Sequence, residues 1–219
     1  AQDFAQAGRA FASPSPHRHG PWAPMAGDSS ACGEASSEAV VPAMKRERQA
    51  LDSLPRLRAK VVHGFGRGSK TLGFPTANME IRWDQEDDPE SLSAEARDVL
   101  EFAKACRAGI YYAWAQVADG PDRGVYKVAM SVGWNPTFTD VKAKTIEPWI
   151  LHDYAEDFYD CELRLLVCGF VRDEAKFEKF DDLITAIRED GEFCGQALES
   201  PECAALARDS FFSLTSGSA

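Results

Sequence analysis

The chain has 219 residues and a formal net charge of −11, and 44% of its residues are hydrophobic. This length fits one domain, or one domain with a tail, and the apolar content is sufficient for a core. The acidic balance argues against non-specific nucleic-acid binding, which requires clustered Lys and Arg, and no apolar run approaches the roughly 18 residues that span a bilayer. We therefore expect neither nucleic acid nor a membrane as a partner.

The first part of the chain has the composition of a tail. Ala, Ser, Pro and Gly dominate residues 1–55 without a sustained period of 2 or 3.6, so we predict a low-complexity, disordered tail or linker there. Residues 43–53 fit either a short helix or a linker. Because the first 27 residues contain a single acid, they faintly resemble a transit peptide. The predicted domain covers residues 56–215.

The cysteines indicate a reducing compartment. None of the six forms a C-x-x-C pair or lies at metal-ligand spacing from a histidine. We interpret them as reduced thiols of an intracellular protein. The cytoplasm is the expected location, and a plastid or mitochondrion is the alternative if the N-terminal segment derives from a transit peptide.

Residues 61–79, VVHGFGRGSKTLGFPTANM, contain the pattern around which we interpret the chain. Two β-branched residues predict a strand, and then alternate glycines are interleaved with cations, which suits a bound phosphate. The residues concerned are Gly64, Gly66, Gly68, Arg67 and Lys70. Neither the Walker pattern nor the dinucleotide fingerprint fits, because Ser69 and Thr71 stand where those motifs require glycine. A glycine-rich hairpin without a ligand is the alternative.

Two oxygen-bearing side chains follow the glycines. Since side chains alternate along a strand, Thr76 and Asn78 are predicted to point to the same side. Hard oxygen ligands of this kind suit a magnesium ion carried by phosphates.

The middle of the chain predicts a helix and then strands. Residues 84–101 carry eight acids and one base, and we predict a solvated loop and a short surface helix with Ser93 as its N-cap. Strands are predicted over 109–117, 126–132, 145–151 and 162–171, with a hairpin turn at 119–124. Period-3.6 patterns predict helices near 180–187 and 201–210. Short strands separated by turns favour an antiparallel barrel with C-terminal helices.

Glu147 is a carboxylate among apolar neighbours, Ile146, Trp149 and Ile150. Such surroundings disfavour its charge and are typical of a general base. The alternative is an edge-strand glutamate that faces water. A phosphate-binding loop, two oxygen ligands and this carboxylate together fit phosphoryl transfer.

The motifs GRGSKTLGFPTAN, GIYYAWAQV, SVGWNP, KTIEPWILH, EDFY and FDDLITAIRED, in this order, resemble a eukaryotic riboflavin kinase. The similarity covers about residues 58–214, and the EPW form is closest to the kinase domain of plant bifunctional FMN hydrolase/riboflavin kinases. The resemblance implies a mainly β (α+β) fold, a six-stranded antiparallel Greek-key barrel with C-terminal helices. It also implies transfer of the γ-phosphate of ATP to the 5′-hydroxyl of riboflavin, giving FMN and ADP.

The resemblance also implies roles for individual residues. Glu147 matches the catalytic carboxylate, Thr76 and Asn78 match the ligands of Mg²⁺ (with Zn²⁺ or Mn²⁺ as alternatives), and Arg172 and Phe177 match flavin contacts. The positions that match ATP contacts are Gly64, Gly66, Gly68, Lys70, Ile150, His152 and Tyr159. The expected partners are these small molecules, and the expected state is a monomer.

Two departures from the family pattern affect the flavin side. Asp173 stands where proline is common, and Ala175 stands where a basic side chain can contact the flavin. The alternatives are a non-catalytic flavin-binding barrel, or the C-terminal kinase part of a larger phosphatase/kinase polypeptide. Retention of Lys70, Thr76, Asn78 and Glu147 favours an enzyme over a binding module.

Overall fold

The computed structural model describes residues 44–64, 73–134 and 143–213. The strands are β1 (Gln49–Ala50), β2 (Arg56–Val62), β3 (Asn78–Met79), β4 (Gly109–Val117), β5 (Val125–Trp134), β6 (Lys144–Ile150) and β7 (Glu162–Asp173). The helices are α1 (Ala94–Ala105), α2 (Phe180–Ala197) and α3 (Pro201–Leu206). Within these described ranges, three 3₁₀ turns cover Trp83–Gln85, Pro89–Ser91 and Ser210–Phe212. No helix among these residues is long and apolar enough to cross a bilayer.

The strands form a nearly closed antiparallel barrel. The order β3-β2-β7-β4-β5-β6 places β7 beside β4, and this return after the β4-β5-β6 meander is a Greek key. The two ends approach each other where Thr76 pairs with Trp149 and the Ala77 N–H donates to the Pro148 carbonyl at 2.9 Å. The predicted six-stranded Greek-key barrel with C-terminal helices is confirmed, and β1 is an additional short strand on β7.

Alternation along the strands separates an inner from an outer core. Inward side chains such as Tyr111 and Ala113 join the barrel core, whereas Tyr112 and Trp114 face outward under the C-terminal helices. The predicted bounds of β4 agree with the structure. Pro148 lies on β6, the last strand of the sheet path, where a missing N–H is tolerated.

Helix α1 closes one end of the barrel. The Ser93 hydroxyl accepts a hydrogen bond from the Ala96 N–H at 3.2 Å, as its predicted N-cap role requires. Val99 and Ala103 are fully buried in the barrel core. At the other end of the helix the Lys144 ammonium donates to the Lys104 and Cys106 carbonyls, where the helix dipole favours a cation.

Residues 44–55 are tied to the barrel, although the sequence placed them in the tail. β1 pairs with Gly169 and Phe170 of β7, and the Glu47 N–H donates to the Val171 carbonyl at 3.1 Å. The short helix considered for residues 43–53 does not form over 44–53. Residues 1–43 lie outside the described residues, and the domain boundary at residue 55 stays a prediction.

A pair of truncations checks this boundary. We expect removal of residues 1–43 to leave the melting temperature and activity unchanged, because that stretch has the composition of a tail. Removal of residues 1–50 also deletes β1, the Glu47 main-chain bond and the bonds of Arg46 to α2. We expect it to lower the free energy of unfolding by about 3–5 kcal/mol, since each lost hydrogen bond contributes about 1 kcal/mol. Urea unfolding of both proteins measures the difference, and equal stabilities would contradict the assignment of β1 to the domain.

Candidate functional site

Two cavities adjoin at Thr76. The larger cavity, of about 310 Å³, lies between residues 75–77 and the segment 152–159. The smaller cavity, of about 180 Å³, lies between the outward faces of β5 and β6 and helix α2. Thr76 lines both cavities. A ligand in one is therefore placed to meet a ligand in the other at this residue.

Glu147 lies in the smaller cavity. Ile146 and Pro148 are buried in the barrel, so the period of β6 turns Glu147 outward, toward α2. The Thr145 hydroxyl donates to Glu147 Oε1 at 2.9 Å. Thr76, from the segment that closes the barrel, lines the same cavity. The side chain is half-buried in a cavity, an arrangement that differs from the edge-strand alternative of a glutamate facing open water.

Thr76 and Asn78 share a face of their segment. Ala77 and Met79 between and after them are buried, while Thr76 and Asn78 are half-buried, so the predicted alternation is confirmed. Asn78 also contacts the beginning of the glycine-rich loop, because a Cβ atom on Gly64 would lie 2.4 Å from Asn78 Nδ2. Glycine at position 64 is what allows this approach.

The donor set at this point suits a magnesium ion. A threonine hydroxyl and an asparagine amide offer hard oxygens, which Mg²⁺ prefers, and Mg²⁺ is commonly bound through few protein ligands together with substrate phosphates. Within the described residues no group of three His, Cys, Asp or Glu side chains could hold a metal ion. The role of Thr76 and Asn78 as ligands stays a prediction. Gly66, Gly68 and Lys70 lie outside the described residues.

The larger cavity brings together Ile150, His152 and Tyr159, the three predicted nucleotide contacts that follow Glu147. Tyr159 is 42% exposed and stacks on His63 with 3.7 Å between ring centroids. His63 follows β2 directly, so this stack joins the start of the glycine-rich loop to the far wall of the cavity.

His152 is held by two residues that the sequence did not single out. Its ring stacks on Tyr126 at 3.7 Å and 6°, and Nε2 lies 2.8 Å from Asp122 Oδ2. Tyr126 donates its hydroxyl to the same carboxylate at 2.9 Å. Hydrogen bonds from the Gly124 N–H, from Tyr126 and from His152 hold the pKa of Asp122 below its usual range. The turn chemistry at 119–124 predicted the hairpin but carried no signal of this contact.

Helix α2 forms the outer wall of the smaller cavity, with Ile187 and Asp190 in its lining. A Cβ atom on Gly191 would lie 2.3 Å from the Trp149 ring, so this glycine lets the helix lie directly on the indole. Phe74 contacts the same indole edge-on, at 5.0 Å between centroids. The sequence predicted the helix but not its place over Glu147. Gly191 was the available signal, because a glycine inside a helix destabilises the helix and so indicates close packing against a neighbour.

The two predicted flavin contacts lie beside this wall. Arg172 is only 8% exposed, and its guanidinium group is paired with the Asp190 carboxylate. Asp190 is the member of this pair that lines the smaller cavity. Phe177 is half-buried in the segment between β7 and α2. Asp173, one of the two departures, forms an ion pair with Arg107, and the flavin role of Arg172 and Phe177 stays a prediction.

Several known proteins are similar to this chain over most of its length. A family model described as "Flavokinase: Riboflavin kinase" matches residues 51–198. The chain is 44% identical over 151 residues to the bifunctional riboflavin kinase/FMN phosphatase of Arabidopsis thaliana, covering 69% of this chain and 35% of that protein. It is 39% identical over 160 residues to the riboflavin kinase of Mus musculus, covering 73% of this chain and 91% of the relative.

A solved structure agrees with the sequence relatives. The crystal structure of riboflavin kinase from Trypanosoma brucei matches with a TM-score of 0.56 and 28% identity, covering 78% of this chain and 94% of that one. The chain thus spans nearly the full length of the mouse and trypanosome proteins but about a third of the Arabidopsis protein.

Proposed function

The chain belongs to the riboflavin kinase family, and from that premise we propose how its two cavities carry out the reaction. The activity is ATP-dependent phosphorylation of riboflavin, which gives FMN and ADP. ATP occupies the larger cavity, and riboflavin occupies the smaller one with its ribityl 5′-hydroxyl toward Glu147. The observation that carries this proposal is that Thr76 lines both cavities, while Glu147 lines the smaller one beside it.

Glu147 acts as the general base in this mechanism. Phosphoryl transfer needs an in-line nucleophile and a group that accepts its proton. Glu147 takes the proton of the 5′-hydroxyl as that oxygen attacks the γ-phosphorus, and ADP leaves with the electrons of the broken P–O bond. The hydrogen bond from Thr145 occupies Oε1, which orients the carboxylate and leaves Oε2 as the proton acceptor.

Thr76 and Asn78 would hold the divalent ion, for which we propose Mg²⁺. The ion would supply neutralisation of the phosphate charge that develops during transfer. The chain's own residues then have separate tasks. The His63–Tyr159 stack and the ring of His152, held by Asp122 and Tyr126, shape the nucleotide cavity, and α2 excludes water from the flavin cavity.

The reaction is tested directly with the purified chain, riboflavin, ATP and magnesium, by separating the flavins chromatographically. We expect FMN and ADP in equal amounts. A folded chain that binds riboflavin and forms no FMN would instead support the non-catalytic flavin-binding module.

Replacing Asn78 with Ala checks the metal proposal. The variant loses one of the two proposed protein ligands of the ion. The magnesium concentration for half-maximal activity should therefore rise about 10-fold, which corresponds to a loss of roughly 1.4 kcal/mol of binding free energy. Asn78→Asp keeps an oxygen at the same place and should retain most of the affinity. A magnesium titration of FMN formation measures both variants, and an unchanged midpoint for Asn78→Ala would remove this residue from the metal site.

Three further points are proposals. We propose that the protein is intracellular, which is supported by the five cysteines in the described part of the chain being free thiols. We propose a monomer with small-molecule partners only, since both cavities are formed within one chain. A larger polypeptide with a phosphatase region before this chain is supported by the length of the Arabidopsis relative and is compatible with the kinase reaction.

A further inference from the structure

Residues 44–50 form a strap on the outside of the barrel, upstream of the region that the family model matches. The strap runs antiparallel to β7, with Gln49 opposite Phe170 and Ala50 opposite Gly169. The Glu47 N–H continues this pairing to Val171, the residue before Arg172. The strap therefore brings Arg46, near its N-terminal end, to the junction of β7 and α2.

Arg46 joins the strap to α2. Its side chain is only 10% exposed. Nε donates to Asp190 Oδ1 at 2.7 Å, and Nη2 donates to the Ala186 carbonyl at 3.2 Å. Nη1 lies 3.0 Å from Glu189 Oε2. One guanidinium group thus holds a full turn of the helix, through a main-chain oxygen and two carboxylates.

The Asp190 carboxylate is shared between two guanidinium groups. Arg172 Nε donates to the same Oδ1 at 2.9 Å, and a second nitrogen of Arg172 donates to Oδ2. Asp190 is 3% exposed and Arg172 is 8% exposed. Because both carboxylate oxygens are used and the group is removed from solvent, its orientation depends on both arginines.

The helix turn that Arg46 holds is also a wall of the smaller cavity. Ala186 and Asp190 are four residues apart and lie on one helix face, and Ile187 lies beside them. Ile187 and Asp190 line the smaller cavity opposite Glu147. A displacement of this turn changes the width of the cavity without any change in the barrel strands.

We propose that Arg46 is a positioning residue for the smaller cavity: it fixes Asp190 and the 186–190 turn of α2, and thereby sets the fit of riboflavin. The inference rests on the proposed function, because that assigns riboflavin to this cavity. Arg46 does not line either cavity and acts only through α2. The larger cavity is lined by β2, the barrel-closing segment and residues 150–159. Among the described residues in its lining, none belongs to the Arg46–Asp190–Arg172 network.

The test compares the KM for riboflavin with the KM for ATP in the variant Arg46→Ala. We expect the KM for riboflavin to rise about 5- to 10-fold, the scale of one ordinary intramolecular hydrogen bond because the effect is indirect, while the KM for ATP stays within about 2-fold of the parent value. Arg46→Lys keeps a cation beside Asp190 and should recover part of the loss. Lys45→Ala is the matched control, since Lys45 lies in the same strap, has a side chain that is 83% exposed and, among the residues that the structure describes, pairs with Glu47 alone.

Riboflavin binding without ATP, followed by quenching of flavin fluorescence, gives a second readout. It separates this inference from the reaction itself: a parent chain that binds riboflavin but makes no FMN overturns the kinase mechanism, and Arg46 is still judged by the binding titration. The positioning role is overturned if a folded Arg46→Ala variant binds riboflavin with the affinity of the parent. It is also overturned if the variant loses affinity for riboflavin and for ATP equally. If Arg46→Ala does not fold, Arg46→Gln, which keeps one amide donor, decides by the same two criteria.

Discussion

Replacing Glu147 with Gln should leave the protein folded and able to bind both substrates, but lower the rate of FMN formation about 10²-fold or more. Removing a positioned acid or base has an effect of this size. Glutamine fills the same space beside Thr145 but does not accept the proton of the ribityl hydroxyl. The loss should fall on kcat, because the carboxylate is needed in the transition state more than for binding. The rate of single-turnover FMN formation, with both substrates saturating, measures this loss.

Two further variants control this experiment. Thr145→Val removes the hydrogen bond that orients Glu147 and should lower kcat less than Glu147→Gln, since the base itself remains. Glu101→Gln removes one carboxylate from the exposed face of α1 and should behave as the parent. Near-normal turnover of a folded Glu147→Gln protein would take the general-base role away from this residue.

Replacing Asp190 with Ala should have the largest effect on stability, a loss of about 3–5 kcal/mol in the free energy of unfolding. Removing one partner of a buried ion pair leaves an uncompensated charge away from water. Here the guanidinium group of Arg172, 8% exposed, would lose its paired carboxylate. Arg46 would keep Glu189, so most of the cost falls on Arg172. Urea unfolding followed by tryptophan fluorescence measures the change.

A second Arg–Asp pair provides the comparison. Asp84 accepts two hydrogen bonds from Arg82 at 3.0 Å, yet the side chain of Asp84 is 64% exposed. Asp84→Ala should change stability little, because exposed pairs are well screened by water. Asp190→Asn keeps an acceptor oxygen and should lie between Asp190→Ala and the parent. Equal losses for Asp84→Ala and Asp190→Ala would show that burial of the Asp190 pair contributes nothing, contrary to our expectation.

The strands and the barrel could be predicted from local pattern. β-Branched and aromatic runs separated by turn residues gave the strands, because side chains that alternate between a core and an outer face leave a period of 2 in the sequence. The same period placed Thr76 and Asn78 on one face. The N-cap at Ser93 was also predictable, since capping depends on residues within one helical turn.

The surroundings of the site could not be predicted in this way. Glu147 has the same neighbours in sequence whether it faces open water or a cavity, and only the position of α2 distinguishes the two. His152 meets Asp122 across 30 residues of chain, and Asp190 meets Arg46 across 144. Such contacts leave no local period. Residues 44–55 were placed in the tail because their partners, strand β7 and helix α2, are more than 100 residues away in the sequence.

By itself the sequence determined the barrel, its antiparallel strands and, through the order of its motifs, the family. Those features depend on hydrophobic alternation, turn residues and a local pattern of glycines and oxygen-bearing side chains. All of these are patterns of residues that are close together in the sequence. The tertiary structure alone decided that the outward face of β6 and helix α2 enclose a cavity, that Thr76 lies between the two cavities, and that Arg46 reaches Asp190. These depend on which distant faces pack together, and packing is set by the shape of the whole fold.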